Sequence, residues 1–211
     1  MHMSLCVCAL IPTLATRTTL LLVLHRTEDK RSTNTGRLAT EALSNSRVVL
    51  RGGENDEDEA LGWSPETRPL LLFPAEGAVS LHELALIPGD DRPVTLIVPD
   101  GNWRQASKVH RRVASLREVP CVTLPLGEPS VYRLRSEAHA TGLATIEAIA
   151  RALAILEGDG GPAVESALLG VFRAMVERTL WSRGTIDLRE VTDGVAPGVR
   201  RDVPWARPGE S

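Results

Sequence analysis

Residues 18–25 (TTLLLVLH) and 94–98 (VTLIV) carry β-branched and aliphatic side chains on both alternating faces. A strand of that kind cannot turn one face to water. It belongs inside a sheet that is covered on both sides, and such sheets are mainly parallel, with helices above and below. The rest of the chain fits this α/β plan. The polar run 26–34 (RTEDKRSTN) reads as a loop. Residues 35–43 read as a short helix capped by Asn34 or Thr35. Further strands are expected at 47–50, at 70–73 with Pro74 ending it, and at 122–124. Helices are expected at 80–86, 103–116, 142–157 and 162–181. The third of these places Leu143, Ile146, Ile149 or Ala150, and Leu153 on one stripe, and Pro162 suits the first turn of the last.

The length of 211 residues fits one domain, expected over 1–182. The segment 183–211 mixes Gly, Pro and charges of both signs, and is expected to be a poorly ordered tail. Aromatic residues are only 3% of the chain, so the core must be built from Leu, Val, Ile and Ala. The three cysteines, Cys6, Cys8 and Cys121, give no disulfide framework, which favours a reducing, cytoplasmic setting. The opening MHMSLCVCALIP lacks the basic and long apolar regions of a signal peptide. No apolar run approaches the ~20 residues of a membrane helix, so no membrane partner is expected.

A net charge of −3 argues against a purely electrostatic binder of nucleic acid. The sum hides an asymmetry. Acidic residues crowd the run 52–63 (GGENDEDEALGW), expected as an exposed loop. The stretch 104–135 carries Lys108, His110, Arg111, Arg112, Arg117, Arg133 and Arg135. That stretch can present a positive face to RNA.

In parallel sheets ligands sit beyond the carboxyl ends of the strands. The search therefore falls on the residues from His25, Pro74, Asp100 and Pro125 onward. The sharpest feature is VTLIVPDGNWRQASK, residues 94–108. Asp100 at the end of a buried strand can cap the next helix. It can equally serve as a general base. Trp103 is either a stacking surface or a core residue at the helix start. Asn34-Thr35-Gly36 is either a plain cap or an anion site at a helix start. Lys108, Arg111 and Arg112 either track a phosphate backbone or form a solvated helix face. Arg133 and Arg135 either hold a carboxylate or phosphate, or make surface ion pairs. Thr145 offers a hydroxyl or is a plain helix residue, Glu147 is read as a structural partner, and His25 as a satisfied strand-end histidine.

Five segments in order resemble the DTW-domain family. Asp100, Trp103 and Ala106 match its Asp-x-Thr-Trp signature, with Asn102 in place of Thr. Residues 25–43 resemble its His-x-x-Glu and Thr-Asn-Thr-Gly block, and residues 71–78 its Leu-x-x-Pro stretch. Residues 132–137 and 143–150 resemble its Tyr-x-x-Arg and Thr-x-Glu-Ala blocks. The resemblance implies a fold similar to the SPOUT methyltransferases, with a C-terminal trefoil knot. It implies transfer of the 3-amino-3-carboxypropyl group from S-adenosylmethionine to N3 of a uridine in tRNA, with methylthioadenosine as by-product. Asp100 would be the base. Leu72, Pro74, Trp103, Leu124, Tyr132 and Thr145 would line the donor. Asn34, Thr35, Lys108, Arg111, Arg112, Arg133 and Arg135 would meet tRNA. A methyltransferase, or an RNA binder without chemistry, are the competing readings.

The family pattern also includes four cysteines suited to zinc. Here only Cys6 and Cys8 match, and two thiolates cannot close a tetrahedral site. No zinc is expected, unless the true start lies upstream.

Overall fold

The computed structural model describes residues 5–31, 33–53, 61–85, 90–125, 127, 130, 142–195 and 199. Strand β1 (Thr19–His25) lies inside a parallel sheet between β2 (Ser46–Arg51) and β5 (Val94–Asp100). Leu20 is in register with Ser46 on one side and Leu96 on the other. Beyond β5 come β3 (Arg68–Leu72), β6 (Cys121–Thr123) and the two-residue β4 (Val79–Ser80). The order is β2-β1-β5-β3-β6-β4. The five central residues of β1 and all of β5 are buried, as the doubly apolar pattern requires.

Strand alternation sorts the core into two layers. Leu20, Leu22, Leu24, Leu96 and Val98 pack with α2 (Thr35–Ala42), α5 (Thr145–Leu156) and α6 (Gly161–Ser182). Leu21, Val23, Leu71 and Ile97 pack on the opposite side with Ala106 of α4 (Trp103–Arg112), Leu116 and Val119. By the same alternation the side chain of Asp100 falls on the first face and that of His25 on the second.

Strand β6 sits between β3 and β4, which are separated by only six residues of chain. Val122 pairs with Leu72 on one side and Val79 on the other, so residues 73–78 arch across it. The expected trefoil knot depends on the path from β6 to α5, most of which lies outside the described residues.

Several boundaries differ from the sequence expectation, each for a local reason. The run 26–34 is not all loop: α1 (Arg26–Asp29) is one helical turn, because the His25 ring accepts the Thr27 N–H and caps it. The expected helix 103–116 breaks at Val113, buried and extended, into α4 and a 3-10 turn at Ala114–Leu116. Helix α5 starts at Thr145 rather than 142, where the Glu147 carboxylate accepts the Ala144 N–H at 2.8 Å. The short helix α3 (Leu81–Ala85) follows β4, which is too brief to leave a pattern. Part of the expected tail is packed: Val191 is buried against Trp181 and Leu5, and Arg178 donates to the carbonyls of Cys6 and Gly194. No helix among the described residues is long and apolar enough to cross a membrane.

Candidate active site

Asp100 ends β5 and is only 9% exposed. A carboxylate in that position needs hydrogen-bond donors, and the fold supplies them from two distant segments. The Asn34 amide donates to Oδ2 at 2.7 Å, and the Thr145 hydroxyl donates to Oδ1 at 2.7 Å. Asn34 also accepts the Arg37 N–H through its side-chain oxygen at 2.7 Å, which fixes its amide and caps α2. One residue therefore both starts a helix and orients the carboxylate. Gly36 completes the fit. A Cβ there would stand 2.6 Å from Asp100 Oδ2 and about as close to Leu22 as van der Waals contact forbids, at 3.0 Å.

Asn34 and Thr35 are both buried. Thr145 spends its hydroxyl on Asp100. Glu147, one turn into α5, is buried and also accepts the Ser130 hydroxyl at 2.5 Å, tying the segment after β6 to the helix start beside Asp100.

The second face of the strand ends carries a different set. Trp103 opens α4 and is 53% exposed, with its ring 5.1 Å from that of Phe73 and tilted by 38°. It is not a core residue. Asn102 caps α4 by accepting the Gln105 N–H at 2.9 Å, and Gln105 returns its side-chain oxygen to the Asn102 N–H at 2.8 Å. Asn102 thus performs the capping work open to the Thr of the family signature. Arg104, Lys108, Arg111 and Arg112 are all exposed on this helix. None of these four has a partner in the ion pairs found among the described residues.

Leu72 is buried at the end of β3, Pro74 is exposed on the arch, and Leu124 is half-buried just past β6. These three lie at the carboxyl ends of β3 and β6, the strands that follow β5 in the sheet. Tyr132, Arg133 and Arg135 lie outside the described residues. Phe73, His25 and Gln105 are the additions that sequence reading did not assign to the site, and Gly36, read there as part of a cap or anion site, instead makes room for Asp100.

A cavity of about 340 Å³ opens at the other end of the strands, lined by Thr19, Trp63, Thr67 and Thr95. Its polar groups are already engaged. The Thr67 and Thr95 hydroxyls bond each other at 2.7 Å, and Arg47 donates to the carbonyls of Leu61 and Gly62. It offers no chemistry comparable to the Asp100 end. Among the described residues no group of three His, Cys, Asp or Glu side chains is placed to hold a metal ion.

The DTW domain model matches residues 1–180 of the chain. A tRNA-uridine aminocarboxypropyltransferase 2 of Drosophila melanogaster is 30% identical over 153 residues, covering 69% of this chain and 59% of that protein. The Mus musculus protein of the same name is 28% identical over 179 residues, covering 81% and 58%. A tRNA-uridine aminocarboxypropyltransferase A of Arabidopsis thaliana is 27% identical over 201 residues, covering 82% and 76%. The chain thus spans less than two thirds of the length of the two animal relatives. No solved structure matches it.

Proposed function

The chain belongs to the DTW domain family, and from that membership we propose that it transfers the 3-amino-3-carboxypropyl group of S-adenosylmethionine to N3 of a uridine in tRNA. The observation that carries the reading is the Asp100 cluster. A buried carboxylate at a strand end is held on both oxygens by hydrogen bonds from Asn34 and Thr145, which orient it.

The chemistry asks for such a group. Uridine N3–H must lose its proton before nitrogen can form a bond to the methylene carbon next to sulfur. That carbon–sulfur bond breaks, its electron pair stays on sulfur, and methylthioadenosine leaves as a neutral thioether. Asp100 accepts the N3 proton, a contribution of typically ~10²–10⁴-fold. A carboxylate has about four acceptor directions, so it can receive fixed donors and still meet a substrate proton. The remaining work is to aim the correct carbon, rather than the methyl group, at N3.

S-Adenosylmethionine suits the edge formed by Leu72, Pro74 and Leu124, where apolar side chains and backbone meet at the carboxyl ends of β3 and β6. Trp103 and Thr145 belong to the same site, Thr145 by fixing Asp100, and Tyr132 is assigned to it from the family pattern alone. The parallel sheet, with β6 placed between β3 and β4 and residues 73–78 crossing it, is compatible with the SPOUT-like fold that the family implies. Transfer RNA meets the cations of α4, and the sequence adds Arg133 and Arg135, which lie outside the described residues.

The test is to incubate the protein with tRNA and S-adenosylmethionine and to analyse the nucleosides and the small-molecule product by mass spectrometry. The expected result is 3-(3-amino-3-carboxypropyl)uridine with stoichiometric methylthioadenosine. S-Adenosylhomocysteine with a methylated uridine would make it a methyltransferase, and no modification of any tRNA would refute the reading.

A further inference from the structure

We propose that His25 Nε2–H is a hydrogen-bond donor to an RNA phosphate, standing at the active-site end of the cationic stripe of α4. This rests on the tRNA reading above and adds to it a contact that no sequence motif assigned.

A backbone N–H can only donate. Asn102 N–H donates to Gln105 Oε1 at 2.8 Å, so the other end of that amide is its NH₂. That NH₂ faces His25 Nδ1 at 3.1 Å and Thr27 Oγ1 at 3.3 Å. The Thr27 N–H also donates to Nδ1, at 3.3 Å, and the Thr27 hydroxyl lies 2.8 Å from it. A ring nitrogen met by two groups that can only donate is the acceptor nitrogen. The network therefore assigns the proton of the neutral ring to Nε2.

The capping box of α4 thus does more than start a helix. It fixes which edge of a histidine 80 residues away presents a donor. No described residue accepts from that Nε2–H. The ring lies against Gly52, where a Cβ would come within 2.3 Å of Nε2, so a side chain there would displace the ring. Gly52 also has a φ of 98°, which disfavours any other residue.

The choice of phosphate follows from what shares this face. Gln105, Lys108 and Arg112 are spaced i, i+3 and i+7 and so lie on one stripe of α4. Lys108 and Arg112 are exposed, and neither has an ion-pair partner among the described residues. Gln105, the first residue of that stripe, meets the His25 ring at Nδ1, so the ring adjoins the stripe. Two cations and a neutral donor in line match a polyanionic backbone, and fixed neutral donors are common phosphate contacts.

The experiment measures tRNA affinity against salt for the parent chain, His25→Asn and His25→Gln, with S-adenosylmethionine affinity and melting temperature recorded alongside. Asn keeps an acceptor for the Thr27 N–H, since it is a good N-cap, but lacks the Nε2 donor. Gln can return a donor near that place. Loss of one neutral hydrogen bond predicts about three- to tenfold weaker tRNA binding for His25→Asn. The salt slope should stay unchanged, because a neutral donor releases no counterion. Donor affinity and melting should hold, and His25→Gln should recover part of the loss. Unchanged tRNA affinity in folded His25→Asn would overturn the proposal. A slope lowered by about one would overturn the neutral-donor assignment. A parent chain that binds no tRNA would instead overturn the function proposed above, and this contact with it.

Discussion

The Thr145 hydroxyl crosses 45 residues of chain to donate to Asp100 at 2.7 Å. The contact joins the start of α5 to the end of β5 at a buried carboxylate, and hydrogen bonds to charged groups are worth about 1.5–3 kcal/mol. Thr145→Val should lose stability in that range by urea denaturation, while Thr145→Ser should lose much less. A Thr145→Val protein as stable as the parent would mean that the bond contributes nothing.

Asp100→Asn separates charge from shape. The Thr145 hydroxyl can turn from donor to acceptor, and Asn34 can still donate to the amide oxygen. The fold and S-adenosylmethionine binding should therefore be largely kept, with turnover lower by ~10²-fold or more, the scale of a lost general base. Near-normal single-turnover rates would remove Asp100 from the role of base.

Gly36→Ala should go against helix propensity. In an exposed helix this change stabilises by about 1 kcal/mol. Here the new methyl would stand 2.6 Å from Asp100 Oδ2, with the Leu22 methyl carbons at 3.0 and 3.1 Å. Melting temperature and turnover are both expected to fall. A stabilised, fully active variant would show that the carboxylate has room to move.

Reversing Lys108 and Arg112 together to Glu should weaken tRNA binding and lower its salt slope by about one per lost phosphate contact. S-Adenosylmethionine affinity, measured by calorimetry, should be unaffected. An unchanged slope would place the RNA on another face.

Cys6 and Cys8 are two thiols, and Cys121 begins β6 far along the chain. A closed structural zinc site needs four ligands and couples to folding. The purified chain should carry substoichiometric zinc by elemental analysis, and chelation should leave its melting temperature unchanged. One tightly held zinc per chain, with melting lowered by chelator, would point to ligands beyond the described residues.

The sheet was legible because burial on both faces leaves a one-dimensional mark: TLLLVL and VTLIV admit no solvent side. The site was legible only in pieces. Asp100, Asn34 and Thr145 each stood out alone, as a strand-end acid, a cap and a helix-start hydroxyl. Their convergence spans separations of 66 and 45 residues, and no local pattern encodes that. One clue was present. A glycine inside the first turn of α2, at Gly36, costs helix stability unless something must come close, and what comes close is Asp100. The His25–Gln105 contact left no such trace, because Gln105 is an ordinary capping-box residue and its second hydrogen bond depends on where β1 ends.

The placement of β6 sets an order of assembly. Leu71 pairs with Cys121, 50 residues later, and among the described residues Val79 has no strand partner except on β6. In a chain made from its amino end, β3 and β4 must wait with facing edges unpaired until residues 121–123 arrive. Contacts of that separation slow folding, because loop closure has to precede any gain from pairing. Open edges in the meantime are templates for other chains. Refolding should therefore be limited by docking of three residues, Cys121 to Thr123, on the open edge of β3, after which β4 can add to them.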